Sequence, residues 1–136
     1  MKNTRLSMAI HILSMVATAE DPMSLTSEWM AGSINTNAVV VRRLVSALKQ
    51  AGLVAAVQTN RGLRLCKSAR DISFWEVLQA VDPEHELFAI HAHSNVQCDI
   101  GCQIETVLSH VYAGLEQEWR TQLQAQTLQA ALDQLQ

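Results

Sequence analysis

Ser33-Ile34-Asn35-Thr36-Asn37-Ala38-Val39-Val40-Val41-Arg42-Arg43-Leu44 decides how this chain is read. The polar triplet Asn35-Thr36-Asn37 interrupts two apolar runs and offers an N-cap to the second. From about Ala38 to Gln50, Val41, Leu44, Val45 and Leu48 recur at helical spacing and define an inward face. Gly52 stands where such a helix ends. On this phase Arg42 and Arg43 fall outward.

Working upstream, Leu6, Ile10, Leu13 and Ala17 form one helical stripe with Ala9 and Val16 beside it, closed by Glu20-Asp21-Pro22. Thr26 or Ser27 can cap a short second helix through Ser33, with Glu28 near its positive end. Downstream, Leu53–Val57 and Leu63–Cys66 are short strand-like runs joined by Gln58-Thr59-Asn60-Arg61-Gly62, which reads as a β-hairpin. Three helices around a tight turn, followed by a hairpin, predict a winged helix-turn-helix.

A capping box, Ser73-Phe74-Trp75-Glu76, with Ile72 and Val77 as its hydrophobic staple, opens a fourth helix that ends near Asp82-Pro83. Glu84 to Gln97 shows no period and reads as a loop. From Ile100 the helical pattern returns: Ile104, Leu108, Val111, Leu115 and Trp119 make one stripe, flanked by Val107, Tyr112 and Leu123. A helix so long and so apolar on one side calls for a second copy of the chain. Thr127 to Leu132 fits one last helical segment. The expected fold class is mainly α with a small β-hairpin: a winged helix-turn-helix plus a long C-terminal dimerisation helix. Its parts are a DNA-binding region over 1–82, a sensor loop over 83–99, and a dimerisation helix with a closing segment over 100–136.

The chain has 136 residues, 49% of them hydrophobic and 17% charged, which suits one folded domain. Its net charge of −3 hides a division. Residues 1–70 carry nine Lys or Arg against three acids, a net +6, while residues 71–136 carry one base against ten acids, a net −9. The basic front half is suited to a polyanion. Leu6 to Val16 is too short and too interrupted to span a bilayer, so no membrane partner and a cytoplasmic location are expected. Cys66, Cys98 and Cys102 are too few for a disulfide framework. With five glycines, and no phosphate-binding glycine loop, nucleophile elbow or carboxylate pair, the sequence gives no support to an enzyme.

Two groups of residues carry chemistry. Thr36, Asn37, Val39 and Val40 sit at the leading end of the second helix of the helix-turn-helix, where base edges of double-stranded DNA are read. An Asn can address an adenine edge and a Val a thymine methyl. Arg42 and Arg43, Asn60 and Arg61 at the wing tip, and Arg5 at the start of the first helix are candidates for phosphate or minor-groove contacts. The second group is Cys98 and Cys102, four residues apart, with His91 and His93 (and His85) nearby. It is open to three readings: a thiol redox switch, a metal or iron–sulfur site, or ordinary cysteines beside a polar loop. A protein-interaction adaptor that keeps the winged helix without binding DNA is the competing functional class. The basic front half speaks against it.

Over nearly its full length the chain resembles the BadM-type, or Rrf-two, family of winged-helix regulators. The likeness rests on Ser33 to Leu44 continuing into Ala51-Gly52-Leu53-Val54, on Asp71-Ile72-Ser73 with Val77-Leu78 and Ala80-Val81, and on Thr127-Leu128 with Leu132. It implies a homodimer that binds a two-fold operator, as a repressor. The chain departs from the family in having Ala38 where proline is usual and Arg61-Gly62-Leu63-Arg64-Leu65 in place of a glycine-run wing. The family's cluster-binding members hold three cysteines in the loop before the long helix. Here that loop has Cys98 and Cys102 alone, so the resemblance leaves the cofactor unassigned.

Overall fold

The computed structural model describes residues 3–135. The elements run α1 (Arg5–Thr18), α2 (Ser27–Ile34), α3 (Ala38–Gln50), β1 (Val54–Ala55), β2 (Arg64–Leu65), α4 (Phe74–Val81), α5 (Ile104–Ala125) and α6 (Leu128–Leu132). Short 3₁₀ turns at Pro22–Ser24 and Ala69–Asp71 join them. This is the mainly helical winged helix-turn-helix expected from the sequence.

One core forms where α1, α3 and α4 meet. It takes in Ile12, Leu13, Met30, Val41, Leu48, Leu53, Ile72 and Val77. Each such side chain contributes about 1.5–3 kcal/mol on leaving water. The inward face of α3 is the expected one: Val41, Leu44, Val45 and Leu48 are buried. That of α1 is rotated by about one position. Ala9, Ile12, Leu13 and Val16 are buried, whereas Leu6, Ile10 and Ala17 are half-covered. Both sets have helical spacing, and contacts made by α3 and α4 select between them.

The caps follow the sequence with one change. Thr26 Oγ1 accepts from Trp29 N–H, and Ser73 Oγ accepts from Glu76 N–H, each at 3.1 Å. The reciprocal half of the capping box is not the one expected. The Glu76 carboxylate accepts from Lys67 Nζ at 2.6 Å instead. Ser73 is bridged to Thr127, and Phe74 N–H donates to Gln126 C=O at 2.9 Å.

Those last bonds return the chain's end to its front. Leu128 is fully buried in the shared core. The closing segment, expected as one last helical stretch, forms α6 and packs into the N-terminal unit. In contrast α5, 22 residues long, buries none of its side chains completely. It begins at Ile104 and not at Ile100, because Asp99 to Gln103 make turns first.

Candidate nucleic-acid interface

The turn between α2 and α3 is built by two asparagines. Asn35 takes a left-handed backbone, φ 66°, which Asn tolerates better than most residues, and ends α2. Asn37 then caps α3, its Oδ1 accepting from Val40 N–H at 3.0 Å. That bond ties up part of the amide expected to read a base and leaves its N–H donors uncommitted. Thr36 is half-buried, and its N–H donates to Ala31 C=O at 3.0 Å. The two leading valines differ. Val39 is 48% exposed, while Val40 packs partly against the core.

Arg42 and Arg43 are both exposed, on opposite flanks of α3. Arg42 faces the wing side and lies 3.4 Å from Glu28 Oε1, with both side chains largely in solvent. Such a pair contributes little and yields readily to a stronger anion. Arg43 lines a cavity of about 560 Å³ between α3 and the start of α1, together with Arg5 and Thr4. Arg5, expected as a phosphate clamp, also has a partner within the chain. Its Nη1 sits 3.2 Å from Asp82 Oδ1, yet the side chain is still 59% exposed.

The wing keeps a single register from Leu53 to Cys66. Val54 pairs with Leu65 and Ala55 with Arg64, and Gln58 and Arg61 exchange two backbone bonds of 3.0 Å. Thr59 and Asn60 make the tip, Asn60 with φ 58°. Gly62 fixes where this hairpin sits. At φ 70° a Cβ would lie 2.8 Å from Met23 Sδ and 3.0 Å from Pro22 O, so only glycine lets the wing close on the Pro22–Ser24 turn. Leu63 N–H donates to Pro22 C=O at 3.3 Å.

Docked this way, the wing faces α3 across a groove of about 370 Å³. Arg42 and Lys49 line it from α3, Asn60 and Arg61 from the wing, and Thr26 and Ser27 from the start of α2. Lys49, Thr26 and Ser27 are additions to the interface expected from the sequence. Lys49 has a legible signal, being seven residues from Arg42 and thus on the same helical face. The approach of Thr26 and Ser27 depends on the wing's docking and has no local signal.

The cysteine loop is a separate site. Cys98, Cys102, His91 and His93 are all exposed. Cys98 precedes α5 within a tight turn: its N–H donates to Asn95 C=O at 3.2 Å, and Cys102 N–H donates to Cys98 C=O at 3.0 Å. The backbone N–H of Gly101, then that of Ile100, directed at its sulfur, lower the thiol's pKa below the usual value. Gly101 makes this possible, since a Cβ there would stand 2.0 Å from Asn95 O. Cys102 Sγ contacts Asp99 C=O at 3.2 Å, and His91 Nε2 is paired with Ser94 Oγ at 3.0 Å. Among the described residues, no three His, Cys, Asp or Glu side chains are gathered to hold a metal. An iron–sulfur cluster takes four protein ligands. Two exposed thiols in this loop, with Cys66 in the wing, do not fit one within a single chain.

Comparison with known proteins agrees with the geometry. Residues 2–134 match the model of the Rrf2 family, described as "Iron-dependent Transcriptional regulator". YwnA of Bacillus subtilis (strain 168), named among HTH-type transcriptional regulators, is 37% identical over 135 residues, 99% of each chain. A crystal structure described as that of a DNA-binding protein is 32% identical with a TM-score of 0.75, covering 94% of this chain and 98% of the other. The oxidised form of Staphylococcus aureus CymR, at 19% identity and a TM-score of 0.72, shares the fold over 100% of this chain and 99% of its own. Among the described residues no helix is long and apolar enough to cross a membrane. The chain belongs to the Rrf2 family and is a transcriptional regulator with a DNA-binding winged helix, not an enzyme.

Proposed function

We propose that this regulator works as a homodimer joined through α5, reads a two-fold operator with α3 and the wing, and represses until its Cys98–Cys102 loop is oxidised. The observation that carries the reading is the groove in which Arg42, Lys49, Asn60 and Arg61 converge from two elements. Val39, exposed beside them, supplies an apolar contact for a thymine methyl, and the Asn37 amide supplies donors. Arg43 and Arg5, across α3 from the wing, hold phosphates of the other strand. The dimer is supported by α5: Val107, Val111 and Leu115 are 52%, 47% and 41% exposed along one stripe. A second copy would cover them.

The switch uses the thiolate-favouring turn around Cys98. Attack of the Cys98 thiolate on a peroxide breaks the O–O bond and gives a sulfenic acid and water, with one proton taken up. The Cys102 thiol then displaces water from that sulfur to form a disulfide. Overall two thiols and one hydrogen peroxide become one disulfide and two waters. Because the turn leads directly into α5, the constraint alters the approach of the two recognition helices, and binding that needs both half-sites weakens. Fluorescence anisotropy of the protein against its own upstream DNA, at several salt concentrations and with or without reductant, tests the whole reading. The expected result is binding that falls steeply with salt and weakens on oxidation. Affinity indifferent to salt would instead favour a protein-interaction adaptor.

A further inference from the structure

His85 lies in the stretch without sequence period, yet it is half-buried between two tryptophans of different elements. Its ring stands edge-on to Trp75 of α4, with centroids 5.2 Å apart, and tilted against Trp119 of α5 at 5.6 Å. The Arg120 guanidinium covers Trp75 at 4.8 Å. His85 is held in place by the residue that ends α4. Its Nδ1 lies 2.9 Å from Asp82 C=O and its N–H donates to the same oxygen at 3.1 Å. A carbonyl only accepts, so Nδ1 carries the proton.

We propose that the Trp75–His85–Trp119 stack is the joint that sets the tilt of α5 against the DNA-reading unit, and through it the half-site spacing the regulator accepts. The inference rests on the homodimeric reading above. Backbone bonds at Phe74–Gln126 and Ser73–Thr127 pin the chain just beyond α5. With that end pinned, the aromatic stack acts as the wedge that fixes direction. From the pinned end at Gln126 back to Ile104 the helix extends about 33 Å, so a tilt of about 6° displaces its start by about 3.5 Å. That matches one base-pair rise, about 3.4 Å. In a two-fold complex this displacement converts directly into the separation of the two recognition helices. His85 is thus a positioning residue, away from the DNA-reading surface.

Selection from a randomised duplex library by the intact protein tests this whatever the operator sequence. Wild type is expected to return paired half-sites at one spacing. His85→Ala and Trp119→Leu are expected to return the same half-site sequence with spacing spread over neighbouring values, the preference falling by about tenfold. His85→Phe, which keeps the aromatic wedge, should restore most of the preference. If circular dichroism shows His85→Ala unfolded, Arg120→Gln on the exposed side chain takes its place, with a smaller spread expected. Variants that keep the wild-type spacing would overturn the joint while leaving the dimeric reading intact. A wild type that returns unpaired half-sites would overturn both.

Discussion

The guanidinium of Arg5, first residue of α1, lies 3.2 Å from the carboxylate of Asp82, the residue that closes α4. Asn3 Nδ2 donates to the other oxygen of that carboxylate. Asp82 is the buried polar residue of the described chain, and its two ends serve different elements: the carboxylate holds α1, the carbonyl holds His85. The pair is unequal, because Arg5 is mostly in solvent and Asp82 is not. Arg5→Ala, which strips a partner from a buried carboxylate, should therefore cost more than Asp82→Asn, which leaves a solvated cation. We expect about 1–3 kcal/mol for the first and about 1 kcal/mol or less for the second, read by denaturant unfolding. Equal losses would contradict this asymmetry.

On the proposed reading, Glu28 and DNA phosphate draw on the same Arg42 guanidinium, which lies 3.4 Å from Glu28 Oε1. Glu28→Ala removes the competing anion and should strengthen binding to any duplex severalfold at low salt. Arg42→Ala and Arg61→Ala should each weaken binding and reduce the salt slope by about one. Titrations at four or five salt concentrations separate these outcomes. An Arg42→Ala protein that keeps the wild-type affinity and salt slope would show that Arg42 makes no phosphate contact.

Gly62→Ala asks whether the wing's seat matters. The new Cβ would meet Met23 and the Pro22 carbonyl in a backbone conformation that disfavours L side chains. Stability should fall by about 1–2 kcal/mol. The wing groove should open as well, so DNA affinity should drop by more than the stability loss explains. Gly52→Ala, at φ 76° with open space around it, should show the stability loss without the affinity loss.

Much of this is legible in the sequence because it depends on local signals. Asn37, Thr26 and Ser73 are caps, the apolar spacing of α3 is unambiguous, and the Asn-Arg-Gly connector marks a hairpin. What cannot be read there depends on residues far apart in the chain. The choice between the two faces of α1, the Arg5–Asp82 pair and the stacking of Trp75 and His85 on Trp119 all link elements that no short window contains. The start of α5 differs from expectation for a related reason. Ile100 continues the apolar period, but the Asn95–Gly101 approach bends the chain before the helix can begin.

Cys98 should titrate below an ordinary thiol, since the N–H groups of Gly101 and Ile100 favour its charged form. Its folded value lies below its unfolded one. The associated stabilisation is therefore present above the unfolded thiol pKa and is lost as pH falls through the lowered value. Alkylation by iodoacetamide, followed by mass spectrometry as a function of pH, should place the Cys98 midpoint below that of the same residue in urea. Gly101→Ala, which forces Asn95 away, should raise it towards the unfolded value. A midpoint unchanged by urea would remove the physical basis of the proposed switch.

The proposed reading of a two-fold operator depends on two copies, joined along α5, engaging one DNA site together. Analytical ultracentrifugation of the protein with a fluorescent duplex carrying its operator measures this directly. Two protomers per duplex are expected for wild type, and a monomer with strongly weakened binding when Val111 and Leu115 on the open stripe of α5 are both changed to Glu. One protomer per duplex at full affinity, or a dimer that survives both substitutions, would contradict it.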